Sequence, residues 1–292
     1  MQRRRDLLGL GLGFIGVVIF GATLPVTKLA LRQLDPAFVT VGRAALASIA
    51  AMAVLVALRR RFPRQHLKLL AGISLSITVG FPGFMALALQ TVPAGHGGVV
   101  LGILPLATAL AAALFAGEKP SLAFWSWAAL GAAVVIGFTI HENGGYSVAL
   151  GDVFLLAAGA SASTGYALSG KLARSMPGWE VVSWALVVAA PVMIPLSLIL
   201  ASRIDGPVAA DVWGAFVYLA LFSQFIGFFF WNAGLAIGGV ARVGQVQLLQ
   251  TFVTLAIAAV LLGEPVGLVA VAVAMVVGLI VVAGRRAKVE HR

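Results

Sequence analysis

Ten long apolar runs divide this chain almost from end to end, and they restrict it to one kind of environment. Each run holds about 20 residues, the length that an α-helix needs to cross the hydrocarbon core of a bilayer. Hydrophobic residues make up 61% of the 292 residues and charged residues 10%, against roughly 25% charged in soluble domains. We predict an all-α integral membrane protein with ten transmembrane helices, crossings 1 to 10, at 9–31, 36–58, 69–90, 95–116, 121–140, 150–170, 179–201, 209–233, 240–262 and 266–284.

The basic residues sort by side once the N-terminus is placed in the cytoplasm. Only Lys28, Arg32 and Arg203 then lie near the outer face, and Arg43 lies within crossing 2. This asymmetry follows the positive-inside rule, and an even number of crossings puts both termini in the cytoplasm. The net charge of +10 therefore indicates contact with anionic lipids on the cytoplasmic side, and we expect no nucleic-acid partner. The basic residues on the cytoplasmic side are Arg3, Arg4, Arg5, Arg59, Arg60, Arg61, Arg64, Lys68, Lys119, Lys171, Arg174, Arg242, Arg285, Arg286, Lys288 and Arg292.

The two halves of the chain repeat each other. Crossing 4 ends in FAGEKPS and crossing 9 ends in LLGEPVG, while residues 93–106 align without gaps on residues 239–252. We therefore predict two five-helix repeats, 1–145 and 146–292, and five crossings in each make their orientations opposite. Inverted repeats are typical of secondary transporters, which bind their substrate near the midplane between the repeats.

The segments GATLPVTKLALRQLDP and LPLATALAAALFAGEKPS carry a resemblance to a known family. They resemble the EamA family of the drug/metabolite transporter superfamily, and the likeness covers both halves. The resemblance implies a ten-helix fold that exports small metabolites by alternating access, and the chain also looks similar to the YddG-type aromatic amino acid exporters. One departure is that Thr251 stands where the first half has Pro105, so the bend expected in crossing 4 is not expected in crossing 9.

Crossing 9 carries an unusual polar stripe. Gln247, Gln250, Thr251 and Thr254 follow helical spacing along one face, and Gln245 lies about 100° away. An unmade hydrogen bond in hydrocarbon costs several kcal/mol, so each group needs a partner. Contacts between helices are one explanation. We favour substrate binding for the three glutamines, because the aligned residues of the first half are all apolar.

Three other crossings offer candidate substrate-binding residues. Amides and aromatic rings share one face of crossing 8, a combination that suits an amphipathic solute because rings contact its apolar part and amides its polar end. Tyr166 in crossing 6 and Phe20 and Thr23 in crossing 1 are further candidates. Lipid-facing aromatic residues and helix packing are the alternative explanations. The candidates on crossing 8 are Gln224, Phe228, Trp231 and Asn232.

Two ionisable residues lie at membrane depth and are candidates for gating or proton sensing. Arg43 could snorkel, pair with Asp35 or Asp152, or bind a carboxylate, and a structural role is favoured. His96 opens crossing 4, where a packing role is favoured. The acidic residues fall in loops or first turns of helices. We therefore expect no strong proton coupling through a buried carboxylate, and a facilitator is the working hypothesis.

Other functional classes fit the sequence less well. The four histidines are scattered, there is no Cys, and HExxH, GxSxG and P-loop motifs are missing from the sequence, so an intramembrane enzyme, a metal site and a cofactor are not expected. A channel would need a continuous polar pore in both halves. A drug or nucleotide-sugar carrier of the same superfamily stays open. The favoured function is export of an aromatic or large neutral amino acid across a bacterial inner membrane. The sequence leaves the oligomeric state open, and a monomer is plausible.

Overall fold

The computed structural model describes residues 2–116, 119–142, 149–173, 175–238, 246, 249–285 and 289–290. These residues are nearly all helical, apart from short turns and one two-residue antiparallel ladder that pairs Lys119–Pro120 with Val289–Glu290. The helices are α1 (Gln2–Gly21), α2 (Thr23–Ala30), α3 (Pro36–Ala57), α4 (Leu67–Ile73), α5 (Phe81–Ala88), α6 (Ala94–Val100), α7 (Leu104–Ala116), α8 (Leu122–Glu142), α9 (Leu150–Leu172), α10 (Gly178–Ala201), α11 (Ala210–Val217), α12 (Gly227–Gly238), α13 (Gln250–Leu262) and α14 (Leu268–Arg285).

These helices fall where the apolar runs predicted crossings. Six helical stretches are long and apolar enough to cross a membrane, and the other predicted crossings coincide with shorter apolar helices. Crossing 9 is described mainly from Gln250 onward, because most of residues 239–248 lie outside the described part. The integral membrane class is confirmed, whereas ten crossings and cytoplasmic termini stay predictions. The long stretches are Leu7–Ala30, Pro36–Ala57, Arg64–Ala88, Leu150–Leu172, Gly178–Ala201 and Ala210–Gly234.

Local chemistry sets the ends of two helices near the site. The Asp35 carboxylate accepts the backbone N–H of Ala37 at 2.7 Å, and Pro36 begins α3 with a preset φ. Gly263 ends α13 in the left-handed region at φ 68°, which glycine adopts without a Cβ clash. This turn brings the next residue, Glu264, against the start of α6.

Among the described residues, crossings 3, 4 and 8 contain π-helical or 3₁₀ segments of three residues or more. Ser74–Gly80 joins α4 to α5 as a π-helix, and Tyr218–Ile226 joins α11 to α12 in the same way. These are crossings 3 and 8, which occupy equivalent places in the two predicted repeats. A 3₁₀ turn at Leu101–Ile103 precedes Pro105 in crossing 4, where the sequence predicted a bend. π-Helical segments are frequent at functional sites. The region between crossings 3 and 8 is therefore a candidate for the functional site.

Helix contacts follow the order expected of two related halves. α3 packs on α10, α6 on α13 and α8 on α14, which are crossings 2 and 7, 4 and 9, and 5 and 10. α1 packs on α12, and α5 packs on α9. The first of these two contacts joins crossings 1 and 8, and the second joins crossings 3 and 6. Crossings 6 and 3 are the repeat equivalents of crossings 1 and 8, so the two contacts are equivalent under the predicted repeat. The contacts agree with the predicted repeat, while its limits at 1–145 and 146–292 stay a prediction.

Small residues allow close contact between two of these helix pairs. A Cβ atom on Gly234 of α12 would lie 2.7 Å from the Gly13 nitrogen and 2.9 Å from the Gly9 oxygen of α1. A Cβ atom on Gly98 of α6 would lie 2.7 Å from the Thr254 methyl carbon. These glycines therefore lie in packing faces between helices.

Candidate functional site

The first membrane helix passes through four successive environments that together form the candidate site. Lys28 borders a cavity at the predicted outer end, Leu24 lies in an apolar cluster, Thr23 in a polar layer and Phe20 in an aromatic cluster. These residues cover about 12 Å along the helix axis. The four environments are described in that order.

The cavity at the predicted outer end has a volume of about 490 Å³. Binding pockets for small molecules typically range from about 300 to 1,000 Å³, so an amino acid fits its size. The cavity lies between the ends of crossings 1, 3 and 9 and the start of crossing 2. Its lining residues include Lys28, Arg32, Gln90, Leu31, Leu262 and Glu264.

A polar network centred on Glu264 closes one wall of this cavity. The Glu264 carboxylate accepts the backbone N–H of Ala94 at 3.0 Å and that of Gly95 at 2.9 Å, at the start of α6. Lys28 Nζ lies 3.4 Å from Glu264 Oε1 and donates to the Val92 carbonyl at 3.0 Å. An anionic group at a helix N-terminus is stabilised by the unpaired N–H groups there and by the helix dipole. Glu264 therefore joins crossing 9 to crossings 1 and 4.

An apolar cluster separates the cavity from the deeper polar groups. Leu24, Met85 and Leu89 are each nearly inaccessible to solvent, and Leu31 and Leu262 pack against them. A second space of only about 20 Å³ lies beside Leu24 and is lined by Gln250, Thr251 and Thr254. That volume holds about one water molecule. The side chains of this cluster are therefore closely packed, and the adjoining space is too small for an amino acid.

The polar layer lies beneath the apolar cluster and joins crossings 1, 2 and 8. The hydroxyl oxygens of Thr23 and Ser223 are 2.8 Å apart, and Arg43 Nη2 donates to Ser223 Oγ at 3.0 Å. Thr23, Arg43 and Ser223 are all buried. Ser223 belongs to the π-helical segment of crossing 8, which places its hydroxyl between the other two groups. The layer thus contains a guanidinium cation and two hydroxyls.

Polar side chains from the second half bond two backbone carbonyls that lie shortly before prolines of the first half. Pro25 has no N–H to give to the Gly21 carbonyl, and Thr254 Oγ1 donates to that oxygen at 2.8 Å. Gln224 Nε2 donates at 3.2 Å to the Thr78 carbonyl, which lies in the π-helical segment shortly before Pro82. Thr254 and Gln224 thus form bonds between crossings, which was the alternative explanation for each, and substrate binding by Gln224 stays a prediction.

The aromatic cluster lies on the far side of the polar layer from the cavity. The rings of Phe20 and Phe228 have centroids 4.9 Å apart, and Trp231 lies 6.5 Å from Phe20. Tyr166 of crossing 6 lies 6.4 Å from Phe228. Tilted and edge-to-face arrangements at such distances are favourable for aromatic pairs. Four candidates that the sequence placed on three separate crossings therefore meet in one cluster.

The remaining candidates lie in different places. Asn232 is half-buried against the start of α10, because a Cβ on Gly178 would meet its side chain at 2.9 Å. Gln250 borders the 20 Å³ space. Gln245 and Gln247 lie outside the described residues. No substrate contact is tested for any of these residues, so their roles stay predictions.

The contacts of His96 and Arg43 were not identified from the sequence. His96 Nε2 lies 2.6 Å from Asp152 Oδ1, both residues are buried, and the imidazole stacks on Phe138. Asp152 also accepts the Ala149 N–H at 3.0 Å. Arg43 is bonded to Ser223, whereas Asp35 caps α3 and Asp152 pairs with His96. The suggested pairing of Arg43 with either carboxylate is therefore not formed.

Sequence reasoning missed Ser223 and Glu264 as residues of the site, and it considered Asp152 only as a partner of Arg43. Ser223 connects Arg43 to Thr23, Glu264 binds the start of α6, and Asp152 binds His96. Glu264 had a signal in the repeated Gly-Glu dipeptide, which was used only to align the halves. Ser223 had none, because a single serine in an apolar helix is more often a packing residue.

The bond between Thr254 and the Gly21 carbonyl makes a testable prediction. We expect Thr254→Val to destabilise the protein, because it removes the donor that satisfies a carbonyl opened by Pro25. The coupling should be about 0.6 to 1.7 kcal/mol, the usual range for such bonds in membranes. Pro25→Ala restores a backbone N–H, so the double variant should regain most of the loss in thermal unfolding midpoint measured in detergent. Equal losses with and without Pro25 would contradict this explanation.

Known proteins resemble this chain over almost its whole length. The model of the EamA-like transporter family matches twice, at residues 7–140 and 149–284. The chain is 44% identical over 275 residues to "Uncharacterized transporter YdeK" of Bacillus subtilis (strain 168), covering 94% of this chain and 96% of that protein. It is 30% identical over 276 residues to "Probable amino-acid metabolite efflux pump" of Salmonella typhimurium, covering 90% and 89%.

A solved structure also matches in fold. It is described only as "Crystal structure of protein", and it superposes with a TM-score of 0.58 at 21% identity, covering 98% of this chain and 96% of that chain. At this identity the likeness concerns the fold alone. The paired match of the family model falls on the two halves that the sequence repeat predicted.

Proposed function

This chain belongs to the EamA-like transporter family, and we propose that it exports amino acids with aromatic or other large neutral side chains. It is an integral membrane protein of a bacterial membrane and a transporter of small molecules. The proposal adds the substrate class and the direction of transport to that family membership. An enzymatic role is not part of it.

One observation carries the proposal: four aromatic rings from crossings 1, 6 and 8 lie next to a polar layer with a buried cation. Phe20, Tyr166, Phe228 and Trp231 supply apolar faces, and Arg43, Ser223 and Thr23 supply polar groups about one turn away. An amphipathic solute needs this combination, because ring faces bind its side chain and polar groups hold its charged end. The name of the Salmonella relative supports export of amino-acid metabolites, while the aromatic cluster is the support for a large apolar side chain.

Alternating access would move the substrate between the cavity and the opposite side of the membrane. The 490 Å³ cavity would admit or release it at the predicted outer end. The apolar cluster around Leu24, Met85 and Leu89 would act as the barrier that opens and closes. The π-helical segments of crossings 3 and 8 flank this path and provide backbone that can change its hydrogen bonding.

Counterflow in proteoliposomes tests the proposal. Vesicles containing the purified protein are loaded with unlabelled L-phenylalanine and given labelled L-phenylalanine outside, and we expect the label to accumulate transiently. Phe228→Leu should raise the concentration needed for half-maximal accumulation about 3- to 10-fold, because it removes an aromatic contact worth about 0.5 to 1.5 kcal/mol.

A matched control lies on the same crossing. Phe222 is 43% exposed on the outside of the bundle, so Phe222→Leu makes the same chemical change away from the cluster and should leave counterflow unaltered. Equal effects of the two variants would remove the aromatic cluster from the proposal. Absence of accumulation with phenylalanine, tryptophan and leucine would reject amino acids as substrates and favour the alternative of a drug or sugar-derivative carrier.

A further inference from the structure

Arg43 is a buried cation with unused hydrogen-bond donors. Its side chain is only 2% exposed, and its one described hydrogen bond runs from Nη2 to Ser223 Oγ at 3.0 Å. Nε and Nη1 have no hydrogen-bond partner among the described residues. A guanidinium carries five N–H donors, one on Nε and two on each of the other nitrogens, so at least three are unused here. Buried polar groups are usually satisfied, and an exception of this size needs an explanation.

The described carboxylates near the membrane interior are already engaged with other groups. Asp152 binds His96, Glu264 binds Lys28 and the start of α6, and Glu180 lies 3.3 Å from Arg60. Asp35 caps α3. Within the described residues, Arg43 therefore has no carboxylate as a counter-ion. A buried charge without one is costly, and charged residues inside membranes commonly mark substrate pathways.

We propose that Arg43 binds the carboxylate of the transported substrate, an inference that rests on the proposed function and identifies its anionic subsite. Guanidinium groups bind carboxylates through short, charge-assisted hydrogen bonds, and Arg is suited to this task because its donors are rigidly placed. Ser223 accepts a hydrogen bond from Nη2, which leaves the donors of Nε and Nη1 to bind the substrate anion. The cation is then satisfied when substrate is bound.

The position of Arg43 relative to the aromatic cluster agrees with this role. Ser223, which contacts the guanidinium, precedes Phe228 by five residues on crossing 8, about 7 Å along a helix axis. Thr23 is in contact with Ser223. On crossing 1 it lies three residues after Phe20 and five residues before Lys28, which lines the cavity. A substrate with its carboxylate at Arg43 would thus place an attached ring toward Phe20 and Phe228. The required substrate has a carboxylate at one end and an apolar group at the other.

Ligand binding to the purified protein tests the anionic subsite without requiring transport. The ligands are L-phenylalanine, 3-phenylpropionate, which lacks the amino group, and phenethylamine, which lacks the carboxylate. Affinities are taken from the ligand-dependent rise in thermal unfolding midpoint. We expect the wild-type protein to bind the two carboxylates more tightly than the amine. Arg43→Gln should weaken both carboxylates about 10- to 100-fold, as expected for hydrogen bonds to a charged group, and leave the amine unchanged.

Two further variants separate this role from a structural one. Ser48→Ala removes another buried polar group of α3, which bonds the Ala44 and Leu186 carbonyls, and should leave the preference for carboxylates unaltered. Ser223→Ala keeps the cation but removes the group that holds it, and should weaken carboxylate binding by a smaller factor than Arg43→Gln. If Arg43→Gln fails to fold, Arg43→Lys and Ser223→Ala decide: an unaltered carboxylate preference in both would overturn the proposal.

Failure of the subsite and failure of amino acid export give different results. The role of Arg43 is overturned if Arg43→Gln binds phenylalanine as tightly as the wild type does. It is also overturned if the wild-type protein binds phenethylamine as tightly as the carboxylates. Wild-type protein that binds none of the carboxylates also overturns it. Binding of 3-phenylpropionate that depends on Arg43, combined with no exchange of any amino acid, supports the subsite while rejecting the proposed function.

Discussion

Glu264→Ala is expected to lower the thermal unfolding midpoint by about 5 to 10 °C, the shift that a loss of a few kcal/mol produces. The carboxylate receives two backbone N–H groups at the start of α6, and each hydrogen bond to a charged group contributes about 1.5 to 3 kcal/mol. The Lys28 pair adds little, because its side chain is one-third exposed. Removing the side chain leaves two amide donors unsatisfied beside an apolar cluster. Differential scanning fluorimetry in detergent measures the shift.

Glu264→Gln separates the hydrogen bonds from the charge. The amide oxygen still accepts one backbone N–H, so about half of the stability should return. Asp211→Ala is the control at the same predicted side of the membrane. This exposed acid lies in the first turn of α11, where its charge interacts favourably with the helix dipole. A Glu264→Ala midpoint within 1 °C of that of Asp211→Ala, a difference equivalent to roughly 0.3 kcal/mol, would show that the contact with α6 contributes nothing.

Gly234→Ala is the second change with a large expected effect. The new Cβ would meet the Gly13 nitrogen at 2.7 Å and the Gly9 oxygen at 2.9 Å, and both atoms belong to the backbone of α1. Backbone atoms of a helix are unable to move aside singly, so α1 and α12 must separate. Overpacking of this kind costs about 1 to 3 kcal/mol or more. Because α1 carries Phe20 and α12 carries Phe228 and Trp231, counterflow should fall together with stability.

Gly214→Ala provides the matched control on the same crossing. A Cβ at Gly214 meets nothing within 4 Å, so the substitution adds only the greater helix propensity of alanine, about 1 kcal/mol. Unfolding midpoints should therefore move in opposite directions for the two variants. A Gly234→Ala protein as stable and as active as Gly214→Ala would mean that α1 and α12 are not held at the distance described.

Both changes act on contacts that join the two halves of the chain. Glu264 joins the end of crossing 9 to the start of crossing 4, and Gly234 brings crossing 8 against crossing 1. Transport by alternating access requires such contacts to form and break as the halves move. The cavity, apolar cluster, polar layer and aromatic cluster lie along one helix between these contacts, so a movement of crossing 1 would affect all four.

The sequence predicted the membrane class and the placement of the helices closely. Helix α3 begins at Pro36 as expected, and α10 ends at Ala201, the predicted last residue of crossing 7. Hydropathy succeeds here because each helix bonds its own backbone and each faces the same apolar solvent. Helical spacing also placed Phe228 and Trp231 on one face of crossing 8, but it did not predict their contact with Phe20.

The partners of the polar groups were decided only by tertiary structure. Thr254 bonds a carbonyl 233 residues away, Gln224 one that is 146 residues away, and Arg43 a serine 180 residues away. A sequence pattern shows that such groups need partners but not which groups they meet, because the partners come from other helices. The sequence by itself therefore determined the environment and the length of each helix, through the local cost of exposing polar groups to lipid. Tertiary packing determined which polar groups bond one another, and it left Nε and Nη1 of Arg43 without hydrogen-bond partners among the described residues.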